Sequence, residues 1–325
     1  MELKIRKRKI VLVGTGFVGM SFAYSLLSEK GINELILIDM NKEKAVGEQM
    51  DLSDGLPYAD SKMTIRAGDY AECKDADIVV ITAGAAQKPG QTRLELVTIN
   101  AKITKDVATQ IKNSGFDGIM VVANNPVDIM TYVAYKASGL PKEHVIGSGT
   151  ILDTARLRYN ISKHLGIAPS NVHAYIMGEH GDTEFPVWSH ANIGGVTIAE
   201  WVKAHPEIKE DKLVKMFEDV RDAAYEIIKL KGATFYGIAT ALARISKAIL
   251  NDENAVLPLS VYMDGQYGLN DIYIGTPAVI NRNGIQNILE IPLTDHEEES
   301  MQKSASQLKK VLTDAFAKND IETRQ

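Results

Sequence analysis

Cysteine is nearly absent. Cys73 alone among 325 residues excludes an internal disulfide and a thiolate metal cluster. So little cysteine suits a reducing, cytoplasmic setting, and no metal is expected. An excess of positive charge is missing too. The formal net charge of −6 argues against nucleic acid or an anionic membrane surface as the main partner. No internal repeat, low-complexity segment or proline-rich linker interrupts the chain. What is present, 45% apolar and 24% charged residues, is ordinary for a soluble globular protein. The length allows two domains that share an extensive core.

The chain is organised around residues 9–39. Lys9-Ile-Val-Leu-Val13 is a short apolar run that predicts a buried parallel strand, and it leads directly into Gly14-Thr-Gly16-Phe-Val-Gly19. Phe22, Leu26 and Leu27 then recur at helical spacing, with Gly31 as the stop. A second apolar run, Leu35–Ile38, ends at Asp39, 20 residues past Gly19. This order is the fingerprint of a dinucleotide site. Gly14 permits a tight turn, Gly16 lets the backbone approach a pyrophosphate, and Gly19 lets helix and strand pack closely. The helix N-terminus presents unpaired N–H groups to phosphate. Asp39 accepts both ribose hydroxyls of an adenosine and repels a 2′-phosphate, so NAD is expected rather than NADP. The rival is a signal or membrane segment, because residues 10–28 carry no charge and follow Lys4, Arg6, Lys7, Arg8 and Lys9. Three glycines and three serines dilute that stretch, and its apolar pattern breaks at Gly14, which favours strand, turn and helix.

Beyond Ile38 the first half alternates strand and helix patterns. Strands are expected at 63–65, 78–82, 118–123 and 144–147, with helices at 42–51 and 94–112. Alternation of this kind predicts a parallel sheet with right-handed crossovers, binding its ligand beyond the carboxyl ends of the strands. In the second half, helices are expected at 151–165, 211–230 and 233–250, a strand at 172–177, and antiparallel strands at 256–262, 271–274 and 288–291. Thr294 with Glu297 three residues on reads as the capping box of a last helix. The expected fold class is α/β: a Rossmann-type parallel sheet domain over residues 1–147, then an α+β substrate domain over 148–325.

Three stretches carry candidate chemistry. Gly178-Glu179-His180-Gly181-Asp182 follows a strand, and its small residues leave the imidazole room to meet a ligand. A lone histidine is more often structural. Asp153 and Arg156, at i and i+3 on a predicted helix, share a face. They either pair with each other or divide the work, Asp153 orienting His180 while Arg156 grips a carboxylate bidentately. Gly84-Ala-Ala-Gln87-Lys-Pro-Gly-Gln-Thr-Arg93 is either an ordinary surface loop or a hinged lid carrying Gln87 and Arg93.

Taken together, Gly14-x-Gly-x-x-Gly19, Asp39, Gln87-Lys-Pro-Gly-x-Thr-Arg93, Asn125-Pro-Val-Asp128, Leu152-Asp-Thr-Ala-Arg156 and Gly178-Glu-His-Gly-Asp182 give the chain a close resemblance to the NAD-dependent L-lactate dehydrogenases of bacterial type. The resemblance spans nearly the whole chain. It implies that His180 is the general acid when pyruvate is reduced and the base when lactate is oxidised. Asp153 fixes its tautomer and favours the imidazolium. It further implies that Arg156 binds the substrate carboxylate and that Arg93 polarises the ketone. Asn125 then hydrogen-bonds near carbonyl and nicotinamide, Thr234 lines the pocket, and Asp128 falls in the substrate set. To the cofactor set it adds Val18, Lys44, Tyr70, Gly84, Ala85, Asp106, Ala123, Asn125 and Ser148.

Substrate choice falls to Gln87. Relatives that act on malate place an arginine there to pair with a second carboxylate; uncharged Gln87 favours pyruvate. NAD-dependent glycosidases share the architecture but resemble metal enzymes that need a Cys/His site, which Cys73 does not supply. Arg158 and His173 are solvated basic residues when read alone. In fructose-bisphosphate-responsive bacterial lactate dehydrogenases these positions bind the effector's phosphates across a subunit two-fold, so the resemblance implies activation by fructose 1,6-bisphosphate in a homotetramer.

Overall fold

The computed structural model describes residues 8–85, 93–205 and 210–319. Strands β1 (Lys9–Val13), β2 (Glu34–Ile38), β3 (Thr64–Ala67), β4 (Ile78–Ile81), β5 (Ile119–Val122) and β6 (Val145–Gly147) pair in parallel in the order β6-β5-β4-β1-β2-β3. Every residue of β1, β4 and β5 is buried, as expected of strands covered by helices on both faces. The connecting helices are α1 (Phe17–Ser25), α2 (Lys42–Asp54), α3 (Arg93–Asn113) and α4 (Val127–Ser138). Residues 10–28 thus form a strand, a turn and a nine-residue helix with a short 3-10 extension. No helix among the described residues is long and apolar enough to cross a membrane.

The second half begins with α5 (Ile151–Leu165). Short strands follow: β7 (Val172–His173), β8 (Ile176–Met177), β9 (Phe185–Pro186), β10 (Asn192–Ile193) and β11 (Val196–Thr197). The single strand expected at 172–177 is two, because the chain changes partner: β7 pairs with β10 and β8 with β9. Helices α6 (Ile198–Ala204), α7 (Glu210–Lys231) and α8 (Tyr236–Leu250) precede strands β12 (Ala255–Asp264), β13 (Asn270–Asn281) and β14 (Gly284–Ile288), and α9 (Asp295–Asn319) ends the described chain. These last three strands are antiparallel, and β12 adds to the parallel sheet at Ser260 opposite Gly147, giving nine strands in one α/β sheet. The strand expected at 288–291 lies earlier: the turn Arg282-Asn283 returns the chain at once, with Gly284 at φ 84°, so pairing starts at Gly284 and not at the apolar run behind it. The capping box of α9 is present, Glu297 accepting from the Thr294 N–H at 3.0 Å and Thr294 accepting from the Glu297 N–H at 3.4 Å.

Candidate active site

The turn between β1 and α1 is shaped by two glycines for internal reasons. Gly14 has φ 105°, and a Cβ there would stand 2.6 Å from the Ala83 nitrogen. A Cβ on Gly19 would meet the Gly14 carbonyl oxygen at 2.0 Å, so helix and turn approach closely only without a side chain. Gly16 differs. Its φ is −77° and a Cβ would meet nothing within 4 Å. Nothing in the protein requires glycine at the N-cap of α1, and the open space in front of the helix N-terminus fits a phosphate group. Asp39, at the end of β2, accepts from the Thr15 N–H at 2.8 Å, the Thr15 hydroxyl at 2.9 Å and the Asn41 N–H at 3.0 Å. Burial pushes its carboxyl up, but these donors and Lys44 outweigh it and hold the group below its ordinary value, so it is a firm anion.

The remaining cofactor candidates gather at the same end of the sheet. Lys44 bonds the Thr15 carbonyl from α2. Tyr70 lies within electrostatic reach of Asp39 and Asp106, its hydroxyl pushed up to about 12, chiefly by burial. Gly84 and Ala85 follow β4, Ala123 and Asn125 follow β5, and buried Ser148 follows β6 with its N–H on the Val122 carbonyl at 2.8 Å. Val18 lies half-buried in the first turn of α1. Phe235 stacks on Phe17 with ring centroids 5.3 Å apart, which brings Thr234 and the start of α8 beside that same turn. Asn100 on α3 was not foreseen. Its buried amide accepts from the Ala85 N–H at 2.8 Å and donates to the Asn125 carbonyl at 2.9 Å, tying the loops after β4 and β5 together. An apolar helix face with one asparagine gives little warning of such a bridge.

On the substrate side, β8 delivers His180 and α5 delivers Asp153 and Arg156. The loop holding His180 is fixed by paired backbone bonds between Gly178 and Gly275, at 3.0 and 2.9 Å. His180 Nδ1 lies 2.6 Å from Asp153 Oδ2, and Arg156 Nη1 lies 2.9 Å from Asp153 Oδ1. Asp153 thus pairs with Arg156 and also bonds His180: the carboxylate joins imidazole and guanidinium in one chain. Burial works against a charge on His180, yet the Asp153 carboxylate overrides it and raises the imidazole to about 9. Burial also pushes Asp153 up, and His180 and Arg156 more than reverse this. Because Nδ1 is engaged, Nε2 is the nitrogen left to serve a ligand, and a quarter of the His180 side chain remains exposed.

Asp128 lies against the backbone of the histidine turn. It is 2% exposed, with Oδ2 on the His180 N–H at 2.9 Å and Oδ1 on the Ser260 hydroxyl at 2.5 Å. Both oxygens are engaged, so it anchors the backbone of the histidine turn to α4 and β12. Burial pushes its carboxyl up to about 6. Glu184, also unforeseen, lies buried behind the cluster with Oε2 4.0 Å from His180 Nδ1. Ligand atoms of Asp153, His180 and Glu184 fall within 4.8 Å of one another, a spacing that would also suit a metal. The Arg156 guanidinium already supplies the countercharge there. Gln87 lies outside the described residues, as does the side chain of Arg93, whose backbone opens α3.

Arg158, one turn face away on α5, donates from Nε to the Ala174 carbonyl at 3.0 Å and covers the Tyr175 ring at 5.1 Å. His173, one residue before that carbonyl, is exposed on β7. The two basic residues thus stand on adjoining elements.

The family model for the lactate/malate dehydrogenase NAD binding domain matches residues 8–147, and the model for the lactate/malate dehydrogenase alpha/beta C-terminal domain matches residues 150–319. An L-lactate dehydrogenase of Lacticaseibacillus casei is 73% identical over 318 residues, covering 98% of this chain and 97% of its own. One from Latilactobacillus sakei subsp. sakei is 66% identical over 98% of both chains. Among solved structures, the ligands-bound minor L-lactate dehydrogenase of Enterococcus mundtii superposes with a TM-score of 0.93 at 49% identity, covering 95% of this chain and 98% of its own. With both halves matched in order, the chain belongs to the lactate/malate dehydrogenase family.

Proposed function

We propose that the protein is an L-lactate dehydrogenase, interconverting pyruvate and L-lactate with NAD. The observation that carries this reading is the hydrogen-bonded chain Arg156–Asp153–His180, which sets a guanidinium and an imidazolium side by side. The cofactor supplies the hydride. Gly16 and the N-terminus of α1 receive its pyrophosphate, and Asp39 takes the adenosine ribose. Arg156 uses the part of its guanidinium not bonded to Asp153 to hold the carboxylate of the keto acid. The proton at His180 Nε2 passes to the ketone oxygen, and Asp153 steadies the imidazolium until it leaves. In the reverse direction, neutral His180 takes the hydroxyl proton of lactate. Arg93 and Asn125 complete the polarisation of the carbonyl by family resemblance.

Gln87 supports pyruvate over oxaloacetate. Oxaloacetate's second carboxylate would lack a cationic partner, a desolvation cost of about several kcal/mol. Following NADH absorbance with the two keto acids side by side tests this. Pyruvate is expected to be preferred by about 10² or more in kcat/KM, and Gln87→Arg to move the preference toward oxaloacetate by orders of magnitude. A wild type that prefers oxaloacetate makes the enzyme a malate dehydrogenase.

Regulation by fructose 1,6-bisphosphate is supported by Arg158 and His173 on adjoining elements, and by the resemblance. Assembly into a tetramer is supported by the family resemblance. A cytoplasmic setting fits the single buried cysteine. The effector is expected to raise the rate at limiting pyruvate. In Arg158→Gln that response should disappear; an undiminished response would exclude the site.

A further inference from the structure

Beyond the triad, the buried face of the site holds a carboxyl group that the reaction as described does not use. Glu184 lies four residues past His180, its side chain only 3% exposed. Its carboxyl lies against that of Asp153, ligand atoms of the two and of His180 falling within 4.8 Å of one another. One of its oxygens, Oε1, is fully buried with no partner among the described residues. Two buried carboxyl groups this close repel strongly when both are ionised, which favours one of them keeping its proton. An ionised Glu184 would also leave a charged oxygen orphaned in the interior, where a neutral carbonyl oxygen costs far less.

We propose that Glu184 is a positioning residue: a neutral carboxylic acid that donates its proton in a hydrogen bond to Asp153 and so braces Asp153 between His180 and Arg156. The proposal rests on the reading of His180 as the proton donor.

The surrounding charges decide where the shared protons reside. Asp153 and Arg156 face Glu184 from α5, His180 faces it from the turn after β8, and Asp128 on α4 faces His180 from the other side. Asp153 stays the anion because it alone touches both cations, at 2.6 and 2.9 Å. Burial, then the charge of Asp153, push the Glu184 carboxyl upward, in keeping with the neutral form at physiological pH. In alkaline solution Glu184 ionises as well. A second negative charge beside Asp153 then holds the proton on His180 to higher pH than Asp153 alone would.

Two measurements on the purified enzyme test this. In infrared spectra of the unliganded protein at neutral pH, a protonated-carboxyl stretch is expected in the wild type and should vanish in Glu184→Gln. This arm is independent of any catalytic role, and a wild type without the band overturns the proposal. The second is the pH profile of kcat/KM for pyruvate. Glu184→Gln still offers an N–H to Asp153 but cannot ionise, so its alkaline limb should fall at lower pH by about half a unit or more. Glu184→Met offers no donor and should retain at least about tenfold less kcat/KM than Glu184→Gln, with KM for NADH unmoved. Superimposable alkaline limbs, or glutamine no better than methionine, refute the role. If the methionine variant fails to fold, the infrared band and the glutamine profile still decide.

Discussion

His180→Asn is expected to lower kcat/KM for pyruvate by about 10³-fold, with KM for NADH nearly unchanged. Asparagine retains a polar group that can still meet Asp153, so the loop anchored at Gly178–Gly275 should fold as before. What is lost is a group that carries a transferable proton. The candidate cofactor residues beyond β1 and β2 make, among the described residues, no hydrogen bond to the imidazole, which is why KM for NADH should hold while kcat/KM for pyruvate falls. The pH dependence carries a sign. With His180 raised to about 9 in the unliganded protein, pyruvate reduction needs the imidazolium and should hold its kcat/KM below that value and decline above it. Lactate oxidation needs the neutral ring and should rise through the same range. The stability linkage runs in the same direction: a folded-state value above the unfolded one gives a contribution fully present below the unfolded histidine range and lost as pH rises through about 9. An asparagine variant as active as the wild type would remove His180 from the chemistry.

Much of the site could be read from the chain because its parts are local. The β1–α1 turn is a consecutive strand, turn and helix, and its glycines are specified within that unit. Asp153 and Arg156 follow from helical spacing. The residues that escaped notice act over long separations. Asp128 is 52 positions from His180, and Ser260 is 132 positions from Asp128, so their shared anchor exists only after the β12 strand joins the parallel sheet. Helix α4 went unread from the sequence; nine of its twelve residues are buried in the fold. Glu184 follows a polar, glycine-containing turn, and only the packing around it shows that it is enclosed.

Arg156→Leu is expected to lower kcat/KM for pyruvate by about 10³-fold or more, chiefly through KM, because a charged hydrogen-bonded pair at a desolvated carboxylate is worth about several kcal/mol. The guanidinium is only 16% exposed, so solvent screens it weakly. Two effects are mixed in this variant, since Arg156 also bonds Asp153 at 2.9 Å. They separate by substrate. The neutral amide of pyruvic acid has the same ketone and no carboxylate, so it reports the Asp153 and His180 arm alone. Wild type should discriminate strongly between pyruvate and this amide, and Arg156→Leu should nearly abolish the discrimination. Arg156→Lys keeps the charge and loses the planar fork, and should fall between them. If the leucine variant still prefers pyruvate to the amide as strongly as wild type does, the carboxylate is held elsewhere, and Arg156 serves only to steady Asp153.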